Sequence, residues 1–257
     1  MGPMNADVHQ ILSAVWLALL LLVPLVLGIV KYRRGRYGPA QWMLLFGTIL
    51  LTRFLWRASI PRRLPVNDNA GAVLISNHRS SIDPFFFQII AGRPVHWMVA
   101  KEYCVHPYFR WFLKQCEVIP TNRGGIDAAA TRTALRFASN GELVGMFPEG
   151  RINTTNDLML PVRPGAIVVA LRSRVPIIPC YIEGAPYKGS AWSPIITPAR
   201  VRVKIGRPID LSAYFGREGD SEAVREALMI CVREIARMAG RPDFEPQVAG
   251  RTWKPAE

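Results

Sequence analysis

The segment AVLISNHRSSIDPFFFQIIA, residues 72–91, carries the signals that decide the fold. It begins with a short apolar run, Ala72–Ser76, that is typical of a buried β-strand, and it ends with a longer apolar run, Pro84–Ala91, that is typical of a helix. Asp83 before Pro84 is a good helix start, because a capping carboxylate then precedes proline at the first helical position. The segment therefore predicts a strand, a polar loop and a helix in succession.

The rest of the chain repeats this alternation of short apolar runs and helical patterns. Further strands are predicted, in chain order, at Val95–Ala100, Glu117–Ile119, Leu143–Phe147, Ile177–Ile182 and Arg200–Ile205. Helices are predicted between and after them at Pro107–Gln115, Asp127–Ser139, Gly165–Arg174 and, as an amphipathic closing helix, Ser221–Ala239. The pattern predicts an α/β domain over residues 64–240, with a mostly parallel central sheet covered by helices, preceded by N-terminal membrane-associated helices. Residues 241–257 are predicted to form a polar, loosely held tail.

The N-terminal region contains a candidate transmembrane helix. Residues 11–30 (ILSAVWLALLLLVPLVLGIV) carry no charge, and their length is what a helix needs to cross roughly 30 Å of hydrocarbon. Pro24 within this run predicts a kink, which also permits a shallow re-entrant helix. The basic cluster KYRRGR, residues 31–36, follows directly, whereas residues 1–10 carry only Asp7. By the positive-inside rule the cluster is expected in the cytoplasm.

A second apolar stretch follows the basic cluster. Residues 40–52 are too few to span comfortably, and four arginines come after them: Arg53, Arg57, Arg62 and Arg63. A second crossing would also place the rest of the chain on the side opposite the KYRRGR cluster. We therefore expect an interfacial helix at 40–56, with its arginines on anionic headgroups. A two-helix hairpin in one leaflet is the alternative. Either arrangement makes residues 1–63 a membrane anchor that holds the domain on the cytoplasmic face of the cell membrane.

Composition narrows the classes of partner. The chain has 32 Lys and Arg against 19 Asp and Glu, a net charge of +13 that suits nucleic acid, an acidic membrane surface or phosphorylated substrates. No helix-turn-helix, zinc-finger or RNA-recognition signature is visible, so a nucleic-acid partner is not expected. The four cysteines are widely spaced without a C-x-x-C pair, which indicates reduced thiols in a cytosolic domain.

His78 and Asp83 form the first candidate catalytic pair. In open α/β sheets reacting groups lie on loops beyond the carboxyl ends of strands, and His78 stands just past a predicted strand. The spacing allows the turn to fold back, so that Asp83 accepts a hydrogen bond from one imidazole nitrogen. That bond fixes the tautomer and leaves the other nitrogen free as a base. A His-x4-Asp pair also arises by chance, so its meaning depends on the segments that accompany it.

Three further segments have chemical potential. VIPTNRGG, residues 118–125, places Arg123 on a glycine-rich turn before a helix, where a guanidinium either clamps a phosphate or is simply solvated. MFPEGRINTTND, residues 146–157, leaves a strand at Glu149, which either contacts an acceptor hydroxyl and orders the arginines or lies on an exposed turn. VPIIPC, residues 175–180, taken alone is best interpreted as a plain core strand.

In their order and spacing these segments resemble the glycerolipid acyltransferase family, whose bacterial members include the 1-acylglycerol-3-phosphate acyltransferases. The four family blocks are similar to NHRSSID, PTNRGG, FPEG and VPIIPC in this chain. Lys101-Glu102, Arg163-Pro164-Gly165 and VRVKIGRPI at 201–209 agree, so the resemblance covers Leu74–Ile209. One position departs from the pattern: Arg151 follows Gly150 directly, where many family members have Thr or Ser.

The resemblance implies a reaction and a set of site residues. An acyl group would pass from acyl-CoA or acyl-carrier protein, as co-substrate, to the hydroxyl of 1-acylglycerol-3-phosphate in phospholipid synthesis, with no cofactor and no metal. His78 would be the general base, oriented by Asp83. The implied substrate-binding residues are Arg123, Glu149, Gly150, Arg151 and Lys101. The implied border of the acyl or acceptor pocket is Val175, Pro176, Ile177 and Pro179.

Alternative functions remain open at this stage. Within the same class, the acceptor is another lysolipid or glycerol-3-phosphate. A catalytically silent lipid-binding protein on the same fold would be expected to have lost His78, Asp83 and Glu149. A membrane-tethered nucleic-acid binder lacks a recognition motif. A metal-dependent hydrolase is disfavoured, because no second histidine stands at ligand spacing.

Overall fold

The computed structural model describes residues 8–18, 22, 36–122 and 127–250. Its centre is a six-stranded sheet made of β1 (Ala72–Ser76), β2 (Val95–Ala100), β3 (Ile119–Thr121), β4 (Leu143–Met146), β5 (Ile177–Glu183) and β6 (Arg202–Ile205). The strand order is β3-β2-β4-β1-β5-β6, with every neighbouring pair parallel except the antiparallel pair β5–β6. The mostly parallel α/β sheet predicted from the sequence is confirmed.

Helices flank this sheet and precede it. Residues 8–18 form α1, and the following helices are α2 (Pro39–Leu50), α3 (Asp83–Ala91), α4 (Lys101–Val105), α5 (Pro107–Gln115), α6 (Ala128–Ser139), α7 (Gly165–Ser173) and α8 (Ser221–Met238). A π-helical turn, Leu51–Leu55, extends α2, and single 3₁₀ turns lie at Ser193–Ile196 and Ser212–Tyr214.

Two apolar layers cover the sheet, one on each face. In β1 the side chains of Val73 and Ile75 enter the layer that includes α6, α7 and α8. Ala72 and Leu74 enter the opposite layer, which includes α3 and the segment around Trp56. Because both faces are covered, all five residues of β1 are buried, which explains why the strand is continuously apolar instead of alternating.

The parallel register collects the loops at one edge of the sheet. Ile75 of β1 pairs with Met146 of β4, and Ser76 pairs with Cys180 of β5. The segments that leave the carboxyl ends of these strands therefore emerge side by side. His78 follows β1 by two residues, and Glu149 follows β4 by three, so the topology brings these two segments together.

The predicted membrane anchor is only partly described. Apart from residues 11–18 and 22, the candidate span 11–30 lies outside the described residues, and its crossing of a membrane stays a prediction. Within the described ranges, no helix has both the length and the apolar character needed to cross a bilayer. α2 and its π-helical turn coincide with the interfacial helix predicted at 40–56. They leave the apolar side chains of Met43, Phe46 and Phe54 exposed.

The segment after the basic cluster docks on the domain. The Arg36 guanidinium donates to Asn69 Oδ1 at 2.6 Å and forms an ion pair with Glu142 at 3.3 Å. Further along, the buried Trp56 indole donates its N–H to the carbonyl oxygen of Pro194 at 2.9 Å. Arg36, the last residue of KYRRGR, therefore contacts the α/β domain directly.

Element boundaries mostly follow the sequence, but two strands begin later than predicted. β6 begins at Arg202, two residues after its predicted start at Arg200. β3 begins at Ile119, two residues after its predicted start at Glu117. Glu117 has φ +50°, a left-handed conformation in the turn that follows α5, and this conformation is incompatible with a strand.

The C-terminal segment is held more firmly than predicted. The backbone N–H of Val162 donates to Gln247 at 2.8 Å, and the N–H of Ala249 donates back to Val162 at 3.0 Å. Phe244 packs against the core layer of α6, α7 and α8. The expectation of a loosely held tail is therefore wrong as far as residue 250.

The absence of a side chain at Gly145 allows the Trp97 indole to lie flat over β4, because a Cβ at that position would overlap the ring. We expect Gly145→Ala to lower the free energy of unfolding by about 1–3 kcal/mol, since overpacking forces the indole or the strand to move. Gly219→Ala is the matched control, because nothing lies within 4 Å of its Cβ position. Denaturant unfolding of both variants checks this, and equal stability of the two would contradict it.

Candidate active site

The predicted His78–Asp83 pair is formed. His78 Nδ1 lies 3.0 Å from Asp83 Oδ2, with the carboxylate fully buried and the imidazole 15% exposed. An ionised carboxylate only accepts hydrogen bonds, so it favours the tautomer that carries the proton on Nδ1. The Nε2 lone pair is then the basic position, and His78 lines the large cleft described below.

Asp83 also organises the loop that carries His78. Its Oδ2 accepts from the backbone N–H of Arg79 at 2.6 Å and from that of Ser80 at 2.8 Å. The helix begins at Asp83 itself, with Ile82 at the cap position, where the sequence had placed Asp83. The carboxylate therefore binds the turn preceding the helix, not the first amides of the helix.

A stack of aromatic rings supports the imidazole. The His78 ring lies parallel to Phe147, with the centroids 3.9 Å apart, and Phe147 stacks on Trp97 at 4.6 Å. Phe87 continues the column against Trp97 at 5.5 Å. The stack fixes the plane of the imidazole ring, because face-to-face contact restricts rotation about the last side-chain bond. The sequence identified Phe147 only as part of FPEG.

The backbone of His78 is held by the loop that follows β4. Its N–H donates to Glu149 Oε1 at 2.7 Å, while its carbonyl oxygen accepts from the N–H of Asn153 at 2.8 Å. The second oxygen of Glu149 accepts from the N–H of Leu160 at 2.8 Å. Glu149 is buried, so the exposed-turn interpretation of this residue is wrong.

The charge state of Glu149 is altered by its surroundings. Burial raises the pKa of Glu149 from its ordinary value of 4.5 to about 8, and nearby Asp83 adds to the rise. The N–H donors of Leu160 and His78 oppose it. The side chain also lines the cleft. In its protonated form it has an O–H group to donate to an oxygen bound there.

Two polar residues of NHRSSID, the segment that carries His78, have structural roles that sequence reasoning missed. The Asn77 side chain forms a pair of hydrogen bonds with the backbone of Ile182, at 2.8 and 2.9 Å, and so joins the end of β1 to β5. The Arg79 guanidinium donates to three carbonyl oxygens of the loop after Glu149, those of Asn153, Thr155 and Asp157. Their presence within NHRSSID was the only signal available.

The site opens into a large, partly enclosed cleft of about 2490 Å³. His78 and Glu149 lie on its wall, and much of the remaining wall is aromatic, including Phe85, Phe112 and Trp192. Apolar walls with a few polar groups at one place are typical of small-molecule binding sites, where the polar groups fix the orientation of the ligand.

The predicted substrate-binding residues have different outcomes. Gly150 and Arg151 line the cleft, and Gly150 has φ +69°, which favours glycine at this turn. Arg123 lies outside the described residues, but Asn122 and Asp127 on either side of that segment both line the cleft.

Lys101 lies at the margin of this group. It is the exposed first residue of α4 and is not part of the described cleft wall. Its charge acts on Asp127, whose pKa is lowered first by the N–H donors of Ala130 and Asn122 and further by Lys101. This places the lysine near Asp127, the first described residue after Arg123 in the sequence.

The predicted pocket border at VPIIPC does not coincide with the described cleft wall. None of Val175, Pro176, Ile177 and Pro179 belongs to the described cleft wall. Ile177 pairs with Val73 near the amino end of β1, whereas His78 follows the carboxyl end, so the beginning of β5 lies at the opposite edge of the sheet. Val175 and Ile177 instead pack in the core with α6, α7 and α8.

The four thiols are in surroundings that suppress their ionisation. All four cysteines are free, and burial raises the pKa of each, to about 12 for Cys116 and Cys231. Thiols of this kind are poor nucleophiles at neutral pH. No group of three or more His, Cys, Asp or Glu side chains in the described part of the chain is arranged to hold a metal ion.

Comparison with known proteins gives matches over the residues that form this site. The Acyltransferase family model matches residues 58–183, which include the His78–Asp83 pair and Glu149. A 1-acyl-sn-glycerol-3-phosphate acyltransferase of Bacillus subtilis is 24% identical over 170 residues, covering 65% of this chain and 82% of the relative. The enzyme of the same name from Limnanthes douglasii is 28% identical over 184 residues, covering 70% of this chain but only 63% of the plant protein.

The fold is also found in a solved structure. The crystal structure of the 1-acyl-sn-glycerophosphate acyltransferase PlsC from Thermotoga maritima superposes with a TM-score of 0.58 at 20% identity, covering 76% of this chain and 78% of that protein. The family model, the relatives and the superposition agree with the architecture described above. Residues 58–183 are therefore an acyltransferase domain, and the chain is an O-acyltransferase.

Proposed function

We propose that this enzyme transfers a fatty acyl group from acyl-CoA or acyl-carrier protein to the free hydroxyl of 1-acylglycerol-3-phosphate, giving phosphatidic acid. The observation that carries the proposal is the buried Asp83 carboxylate on His78 Nδ1, which turns Nε2 into a base at the wall of an apolar cleft. The relatives named 1-acyl-sn-glycerol-3-phosphate acyltransferase support this choice of acceptor.

The reaction needs one base and no covalent enzyme intermediate. Nε2 of His78 takes the proton of the acceptor hydroxyl as its oxygen attacks the thioester carbonyl carbon. The C–S bond then breaks, the ester forms, and the imidazolium returns its proton to the departing thiolate. The leaving group needs little help, because the pKa of a free thiol is about 8.5. The raised pKa values of the cysteines are consistent with direct transfer.

The acceptor phosphate requires cationic groups beside this base. Arg151 on the cleft wall and Arg123 between Asn122 and Asp127 are the proposed ligands, with Lys101 contributing charge from the margin. Glu149 would contact the glycerol portion through its O–H group while it holds the His78 backbone. Guanidinium groups suit this task because they pair with two phosphate oxygens at once.

The substrate also accounts for a membrane location. Lifting a 16-carbon chain into water exposes about 15 methylenes at ~0.8 kcal/mol each, on the order of 12 kcal/mol, which an enzyme on the bilayer largely avoids. We place the domain on the cytoplasmic face, because Arg36 of the basic cluster bonds directly to Glu142 and Asn69 of the domain.

Removing the base tests the mechanism. We expect His78→Ala to reduce acceptor-dependent thiol release from acyl-CoA by about 10²–10⁴-fold, the usual contribution of a general base. His9→Ala, which removes an exposed histidine of α1, serves as the control and should keep full activity. Thermal unfolding confirms that both variants fold.

The same assay separates the alternatives. Release that persists in folded His78→Ala would discard the mechanism, and a requirement for a divalent cation would favour the hydrolase. Lysophosphatidate should be the best acceptor when it is compared with glycerol-3-phosphate and other lysolipids. A preference for one of those would correct the acceptor but keep the class.

The raised pKa of Glu149 predicts a pH dependence of stability. Between pH 4.5 and about 8 the folded state keeps a proton on Glu149 that the unfolded chain has released. The contribution of this group is therefore complete at low pH and is lost as the pH rises towards 8. We expect Glu149→Gln, which is neutral throughout, to show a smaller decline in unfolding free energy over this range than the parent. Parallel declines in denaturant unfolding at several pH values would contradict the assignment.

Removing a phosphate ligand should affect acceptor binding more than turnover. We expect Arg123→Ala and Arg151→Ala each to raise KM for lysophosphatidate by about 10–100-fold, because hydrogen bonds to charged groups contribute ~1.5–3 kcal/mol. Arg241→Ala, beyond the end of α8, is the matched control. Steady-state kinetics with a monoacylglycerol, which lacks the phosphate, should show no such difference among the variants.

A further inference from the structure

The exposed apolar side chains of the described domain are concentrated in one region. Outside the N-terminal residues 8–22, twelve large hydrophobic residues are exposed, and ten of them belong to α2 with its π-helical turn, to α4 and α5, or to residues 192–196. Six of the ten lie on the catalytic domain itself. Tyr103 is the least exposed of these at 37%, and we call the other five the domain patch: Val105, Tyr108, Trp111, Trp192 and Ile196. Ile196 is 82% exposed and Tyr108 is 77% exposed, and contiguous exposure of apolar side chains is unusual on a surface that faces only water.

These segments form one continuous layer. The ring of Phe109 in α5 stacks on Trp192 with the centroids 4.6 Å apart, which joins α5 to the turn at Ser193–Ile196. The same turn also contacts the residue that follows the π-helical extension of α2, because the Trp56 indole donates to the carbonyl oxygen of Pro194. The beginning of α2 is joined to the end of α5, because the Gln41 amide donates to the carbonyl oxygen of Gln115 at 2.9 Å.

The charge of the same segments is predominantly positive. Residues 38–67, 101–116 and 185–200 contain nine Lys and Arg and one acidic residue, Glu102, whereas the whole chain has 32 basic and 19 acidic residues. Basic side chains such as Arg53, Arg110 and Lys188 are exposed around the apolar residues. An apolar centre with tryptophan and tyrosine, surrounded by cations, is complementary to an anionic phospholipid surface.

The patch is also continuous with the cleft. Tyr108, Trp111 and Trp192 are exposed at the surface and at the same time form part of the cleft wall that leads to His78. Val105 and Ile196 lie outside the cleft wall, so they report on the surface alone.

We propose that the domain patch is a second lipid-binding surface: the catalytic domain itself contacts an anionic phospholipid bilayer through α5 and residues 192–196, beside α2. The cleft then opens at the lipid, and substrate chains pass from bilayer to cleft between aromatic side chains. Only this entry route rests on the proposed function. The surface is distinct from the predicted span at 11–30, which would tether the domain without fixing its orientation.

Site-specific fluorescence tests the contact. In the full chain carrying Cys104→Ser and Cys116→Ser, an NBD label is attached at Val105→Cys or Ile196→Cys, with Ile230→Cys on α8 as the matched exposed control. The protein is reconstituted in nanodiscs of anionic phospholipid with nitroxide-labelled lipid. We expect the labels at 105 and 196 to lose most of their emission, and the label at 230 to remain bright and accessible to iodide.

The labelling result is independent of catalysis, because it can be measured in the His78→Ala background. If the labels at 105 and 196 are quenched no more than the control, the proposal is overturned. Labels that are shielded from iodide but not quenched by the lipid nitroxide would also overturn it, because a second copy of the chain or another protein then covers the patch.

A kinetic experiment tests the consequence. We expect Val105→Glu combined with Ile196→Glu to reduce kcat/KM for a long-chain acceptor in anionic vesicles by about tenfold or more, since two carboxylates oppose the lipid surface charge. Turnover of a short-chain, water-soluble acceptor should be unchanged. Ile230→Glu is the control and should alter neither.

The two substrates separate the possible failures. An equal loss with both acceptors would show that the patch serves folding or catalysis, and no loss with either would remove its role in substrate entry. Absence of activity in the parent with both acceptors would refute the proposed function, whereas the fluorescence result would still decide the lipid contact.

Discussion

One carboxylate oxygen organises the functional edge of this sheet. Asp83 Oδ2 accepts hydrogen bonds from the imidazole of His78 and from the backbone of Arg79 and Ser80. A buried carboxylate is costly unless donors surround it, so the loop must fold back over the start of α3 to supply them. The geometry of the base is therefore a by-product of satisfying a buried charge, and the remaining oxygen of Asp83 has no partner among the described residues.

The loop that carries the base is also fixed from its two neighbours in the sheet. Asn77 continues the pairing with β5 through its side chain, and Glu149 and Asn153 bind the backbone of His78 from the β4 side. These contacts involve backbone groups, so they restrain the position of His78 independently of its ring. Catalysis by positioning depends on this kind of rigidity, because no ordering remains to be done when the substrate binds.

The sequence predicted the parts of the fold that follow from local patterns. Runs such as Ala72–Ser76 and Val95–Ala100 are bounded as expected. For Ala72–Ser76 the reason is that continuous burial leaves a continuous apolar signal. The left-handed Glu117 and the paired backbone at Val162 depend on contacts that no local pattern encodes.

The site residues also divide into those that a local pattern predicts and those that depend on contacts in the folded chain. His78 and Asp83 are close in sequence, so their hydrogen bond could be predicted, and the burial of Glu149 could not. VPIIPC was assigned to the pocket by resemblance alone, and the strand direction places its first residues at the other edge. Phe147 directly follows β4 and Trp97 lies in β2, so only the assembled sheet stacks them beside the imidazole.

The pairing of the C-terminal segment with Val162 has a practical consequence for anyone who handles this enzyme. Val248, Ala249 and Gly250 form part of the cleft wall. Val248 forms a β-bridge with Val162, shortly before α7 begins at Gly165. A peptide, fluorophore or affinity tag fused after Gly250 therefore leaves the domain directly beside the cleft wall. A label at the exposed Ile230 of α8 avoids this wall, because Ile230 is not one of its residues.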